Sequence, residues 1–130
     1  MTEITTAGGV TLAKLTGDLD HHTAGLIRTE IDREIKLVRP ELLIIDFIGV
    51  TFMDSSGIGL IMGRYKLMQD HGGRVVVTRP PSYIKKVLKL AGIDRLTPIK
   101  DELDGLLPEN KETEKGAKST DATDRIPQNN

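Results

Sequence analysis

Two short runs hold side chains able to do chemistry. Asp54-Ser55-Ser56-Gly57 sets two hydroxyls between a carboxylate and a glycine. It follows an apolar run and opens a stretch of helical period, which predicts a helix start. Helix starts carry unpaired backbone N–H groups and the positive end of the dipole. A phosphate on Ser55 would find donors there. It would also add about −1.5 to −2 charges beside Asp54. The bland reading is as simple: Asp and Ser are good N-caps. Sequence physics alone leaves both open.

The second run is Asp18-Leu19-Asp20-His21-His22. Its acids and imidazoles resemble a metal-ligand set. Adjacent histidines on a helix point about 100° apart, however, which suits one ion poorly. Capping by Asp20 with two surface imidazoles is the simpler reading, and no metal is expected. Gly57, Gly59 and Gly63 form a third feature. Glycine costs about 1 kcal/mol against alanine inside a helix. Gly59 and Gly63 share one helix face, where a backbone of this chain or of a partner can approach. Their spacing fits neither a dinucleotide fingerprint nor a P-loop, so no cofactor is expected. No Gly-x-Ser-x-Gly elbow is present, and nothing in the sequence orients a base on Ser55. Lys85, Lys86 and Lys89 read as the wet face of a helix.

The elements that must position these residues alternate. Ile4–Ala7 and Val10–Thr16 read as strands joined at Gly8-Gly9, and 17–20 ends the second. Asp20 caps a helix with Ala24, Ile27, Ile31, Ile35 and Val38 on one face. Pro40 stops it. Leu42–Phe47 is an apolar run suited to a central strand covered on both faces. Ile58, Ile61, Met62, Tyr65 and Met68 mark a second helix, ended by Gly72-Gly73. Arg74–Thr78 is a third buried strand. Pro80-Pro81-Ser82 opens a helix with Ile84, Val87, Leu88 and Ala91 inward. Leu96–Ile99 is a short last strand, and Asp101–Leu107 a turn of helix. The order ββαβαβαβ(α) predicts an α/β domain, with a mainly parallel central sheet opened by a β-hairpin. Ends of parallel strands gather on one edge, so Asp20, His21 and Ser55 are expected to share one surface.

Composition bounds the function. The chain has 130 residues, 38% apolar, with two Phe, two Tyr, no Trp and no Cys. Disulfides, thiol chemistry and cysteine-held metals are excluded, and a reducing cytoplasm suits the chain. A net charge of −1 argues against binding nucleic acid by bulk electrostatics. There is no apolar run of about 20 residues to span a membrane and no signal-peptide pattern at the start. Residues 108–130 hold only Ala117, Ala122 and Ile126 as apolar side chains. The expected division is therefore a domain over 1–107 and a disordered polar tail over 108–130.

Residues 17–24, Gly17-Asp18-Leu19-Asp20-His21-His22-Thr23-Ala24, and residues 52–66, from Phe52-Met53-Asp54-Ser55-Ser56-Gly57 to Arg64-Tyr65-Lys66, closely resemble the anti-sigma factor antagonists of the STAS domain family. The likeness covers roughly residues 1–106. It implies a STAS-like fold and a regulatory partner switch rather than an enzyme. The unphosphorylated antagonist binds an anti-sigma factor that is also a serine kinase, and so frees the sigma factor. The kinase phosphorylates the first serine of Asp-Ser-Ser-Gly, here Ser55, and a serine phosphatase reverses this. The resemblance implies a partner surface of Asp20, His21, Asp54, Ser56, Gly57, Gly59 and Gly63 on a chain that is monomeric when free. Two alternatives stand beside it. One is a receiver-like phosphoacceptor, with Asp54 or Asp46 as acceptor, Asp18 and Asp20 on Mg²⁺, and Lys100 nearby. The other is a scaffold that does not switch.

Overall fold

A computed structural model of the protein describes residues 2–108. The polar tail expected beyond Pro108 lies outside the described residues. The elements follow in the order β1 (Thr2–Ala7), β2 (Val10–Leu19), α1 (His21–Val38), β3 (Leu42–Met53), α2 (Ser55–Gln69), β4 (Arg74–Thr78), α3 (Ser82–Leu90), α4 (Ile93–Leu96) and β5 (Ile99–Lys100). They build one sheet in the order β1-β2-β3-β4-β5. Only β1 and β2 are antiparallel, turning at Gly8 and Gly9, whose φ values of +57° and +79° suit glycine. The other pairs are parallel, so the expected fold class is what the chain adopts.

Among the described residues, all four helices lie on one face of the sheet. Ala24, Ile27, Ile31 and Ile35 of α1, Leu60, Ile61 and Met68 of α2, and Ile84, Leu88 and Ile93 beyond them pack on Ala13, Leu15, Leu43, Ile45, Phe47, Val75 and Val77. The opposite face has a smaller cluster, Leu42, Ile44 and Val76, covered by Leu103 and Leu106. Leu42–Phe47 is buried along its whole length. Both faces of the central strand are therefore covered, one by helices and the other by the chain's return.

Several boundaries differ from expectation. β2 does not end at Thr16. Gly17 and Asp18 continue the strand through shifts in register opposite Val50 and Phe52, and a bulge absorbs what reads in sequence as a turn. β3 likewise runs on to Met53. Leu96 closes the short α4 rather than opening a strand, and β5 is Ile99–Lys100 alone. Residues 104–106 make a turn and no helix. Val38 and Ala91 are exposed at helix ends instead of inward. In α2 the stripe is rotated: Met62 is exposed, whereas Leu60 and Arg64 are buried. Lys86 and Lys89 are exposed as expected, and Lys85 reaches Asp101 at 2.8 Å.

Candidate functional site

Adjacent parallel strands deliver two helix starts side by side. Leu19 of β2 pairs with Met53 of β3, and the Asp54 N–H donates to the Leu19 carbonyl at 3.3 Å. Asp20 and Asp54 each follow their strand by one residue. Each caps the helix that comes next.

Asp20 forms a full capping box. Its Oδ1 accepts from the Thr23 N–H at 3.0 Å, and its own N–H donates to Thr23 Oγ1 at 3.0 Å. The Thr23 N–H, and after it the Thr23 hydroxyl, hold the Asp20 carboxyl below the usual carboxylate range. Asp54 Oδ1 accepts from the Ser56 N–H at 2.8 Å, and the Asp54 carbonyl accepts from the Gly57 N–H at 3.0 Å. Ser55 is the first residue of α2 and is exposed. This corrects the expectation of donors awaiting a phosphate: the Ser56 and Gly57 N–H groups are already engaged by Asp54.

Between α1 and α2 runs an open cleft of about 370 Å³, lined by His21, Gly25, Arg28, Ser56, Gly59 and Arg64 among others. His21 and Ser56 thus line one cleft, and Ser55 stands beside Ser56. Gly63 also lines it. A Cβ on Gly59 or Gly63 would meet nothing within 4 Å. Among the described residues no backbone approaches them there, so this glycine face is open. Gly57 is different. It is buried, and a Cβ there would lie 2.4 Å from Met53 Cγ, 2.5 Å from Met53 Sδ and 3.1 Å from Leu19 Cδ2. Its place in the expected partner surface is corrected accordingly: Gly57 lets α2 sit down on the strand ends and presents no contact face.

The two glycines should therefore respond with opposite signs. Gly57→Ala is expected to lose stability, by up to about 2 kcal/mol, because overpacking outweighs the gain in helix propensity. Gly59→Ala is expected to gain up to about 1 kcal/mol. Urea midpoints of the two variants check this, and a shift in the same direction would contradict the geometry.

The other candidate acids do not join this site. Asp18 Oδ1 accepts from the Thr51 hydroxyl at 3.0 Å. Asp46 is fully buried, bound at 3.1 and 2.6 Å by Arg79 and at 3.0 Å by Thr78. Its carboxylate has no oxygen free to accept a phosphoryl group, and Arg79 rather than Lys100 is its partner. Among the described residues, no three His, Cys, Asp or Glu side chains come together to hold a metal ion. No helix there is long and apolar enough to cross a membrane.

Arg28 and Arg64 are the site residues that sequence reasoning missed. Arg64 is 6% exposed and ion-pairs with Asp32, Nε to Oδ1 at 2.8 Å. The pair is out of line for a hydrogen bond, so both atoms are buried without one. Burial pushes the Arg64 guanidinium below its ordinary value, Asp32 pulls it back, and Arg28 adds a further push down. A signal was available: Arg64 stands four residues from both Leu60 and Met68, on the buried stripe of α2.

Helices on one face of a hairpin-opened parallel sheet, with two capped helix starts at its edge, define the STAS class of α/β domain. The chain belongs to the STAS domain family, whose model matches residues 1–106. It is similar to the anti-sigma F factor antagonist of Paenibacillus polymyxa, 37% identical over 93 residues that cover 72% of this chain and 80% of that one. Its fold is also that of the anti-sigma factor antagonist SpoIIAA in its unphosphorylated form. That match has a TM-score of 0.71 and 27% identity, and covers 82% of this chain and 93% of the other. The Bacillus cell fate determinant SpoIIAA in its phosphorylated form matches with a TM-score of 0.65 and 27% identity, covering 82% and 96%.

Proposed function

We propose that this chain is an anti-sigma factor antagonist that works as a phosphoserine partner switch. In its unphosphorylated form it binds an anti-sigma factor that is also a serine kinase, and so releases the sigma factor. Phosphorylation of Ser55 inactivates it, and a serine phosphatase restores it. The similarity to anti-sigma F factor antagonists supports sporulation transcription driven by sigma F as the process it promotes. It acts in the cytoplasm as a monomer when free, without catalysis of its own and without direct contact to nucleic acid or membrane.

One observation carries the reading. Ser55 is exposed at the first position of α2, directly after the carboxylate that caps it. A hydroxyl so placed is open to a kinase. A phosphate there adds charge next to Asp54, whose Oδ1 already holds the Ser56 N–H. The full chain is to be incubated with a sigma-F-type anti-sigma kinase and ATP, and the phosphate mapped by mass spectrometry. One hydroxylamine-stable phosphate on Ser55 is expected. An acyl phosphate on an aspartate, lost in hydroxylamine, would favour the receiver-like alternative. No modification would favour a scaffold.

A further inference from the structure

The cleft between α1 and α2 has a charge that capping and packing do not use. Two guanidinium groups and an imidazole line it, from Arg28, Arg64 and His21. Arg64 is answered by Asp32. Arg28 makes no ion pair among the described residues, and its Nη2 lies 4.0 Å from where a Cβ on Gly25 would stand. Its guanidinium is thus folded back over the glycine, toward the cleft. The Arg64 Nε is buried against Asp32 Oδ1 at 2.8 Å, which leaves Arg28 as the unanswered charge of the cleft. The walls at Gly59 and Gly63 are bare, with open space where side chains would be. Ser56 closes the end nearest Ser55.

Resting on the partner-switch reading, we propose that this cleft is an anion pocket for a carboxylate side chain of the docked anti-sigma factor, with Arg28 as its specificity-determining residue. The occupant is taken to be a protein acid because the cleft adjoins the Ser55 surface. A partner covering Ser55 and Ser56 therefore lies over its mouth. An acid entering between the glycine walls would meet the Arg28 guanidinium, which pairs with no carboxylate among the described residues. Arg28 thus selects partners by charge, whereas Ser55 sets whether any partner binds.

The test measures binding of the unphosphorylated full chain to a sigma-F-type anti-sigma kinase across a salt series. Arg28→Glu is expected to weaken binding about tenfold or more at low salt. That deficit should shrink as salt shortens the screening length to about 8 Å and below. Arg28→Gln should fall between. Arg28 is exposed, and unchanged urea midpoints will show that these variants fold. Equal affinity of wild type and Arg28→Glu, or a deficit insensitive to salt, would overturn the pocket while leaving the switch intact. Failure of the wild type to bind would instead overturn the switch. A parallel NMR titration uses inorganic phosphate and ATP. Saturable shifts of the Gly59 and Gly63 amides at micromolar ligand would assign the cleft to a phosphate compound and overturn the carboxylate. No shift below millimolar ligand is the expected result.

Discussion

Ser55→Asp is expected to weaken binding to the anti-sigma kinase by roughly 30-fold, toward the low end of a range that phosphate itself extends to several thousand-fold. The range follows from the 2–5 kcal/mol typical of disrupted charge pairing in an interface, at about 1.4 kcal/mol per tenfold in affinity. Aspartate brings one charge, and a phosphate about −1.5 to −2. The local geometry sets the sign. Asp54 already occupies the cap, taking the Ser56 N–H at 2.8 Å and the Gly57 N–H through its carbonyl at 3.0 Å. Added negative charge at Ser55 therefore stands next to a carboxylate that already holds the cap. A partner seated on this surface must desolvate both. Because Ser55 is exposed, modification would displace no packed side chain, so the proposed switch needs no change of fold. Ser55→Ala should bind like the unmodified chain and stay bound after incubation with kinase and ATP. Calorimetric titration of the three forms checks both, and a Ser55→Asp variant as tight as wild type would remove charge as the basis of the switch.

The residues legible in advance act through local rules. Gly8-Gly9 turns the hairpin because positive φ is easiest for glycine. Asp20 and Asp54 cap helices because their carboxylates reach N–H groups two or three residues on. Once two such caps follow neighbouring parallel strands, the two helix starts must lie side by side, so their shared placement could be read before any coordinates. What escaped depends on contacts distant in sequence. Gly17 reads as a stop, yet β3 lies alongside and carries the strand on through a bulge to Leu19. Gly57 is assigned to the partner surface by the resemblance, and only the approach of Met53 and Leu19 makes it a packing glycine. Leu103 and Leu106 read as part of a last turn of helix, but no helix forms there and both cover the far face of the sheet. Arg64 was missed because a polar residue on an apolar stripe shifts the apparent phase of the helix toward Met62.

The largest effect on stability is expected at the buried pair of Asp46 and Arg79. Asp46 is fully buried in β3, and the Arg79 guanidinium grips both of its oxygens. Removing one partner of a buried ion pair costs about 3–5 kcal/mol, because the other charge is stranded. Arg79 is 28% exposed, so water can relieve part of that, and Arg79→Met should cost about 3 kcal/mol. Against a typical total of about 5–15 kcal/mol, this threatens the whole fold. Thr78 can supply one hydrogen bond to the stranded carboxylate, as it does at 3.0 Å now, but no charge. Replacing both partners, as Asp46→Val with Arg79→Met, should cost less than Arg79→Met alone, since no buried charge then remains. Urea denaturation of the wild type, both singles and the double gives the coupling energy. A double variant less stable than Arg79→Met would show that the pair contributes through more than mutual compensation. The same geometry bears on the choice of phosphoacceptor. A phosphoryl group on Asp46 would have to displace Arg79 from a carboxylate with no solvent-facing oxygen, at about the cost of losing the pair. Ser55 is exposed at a helix start where nothing packed would have to move, and that difference favours Ser55 over Asp46 as the proposed phosphoacceptor.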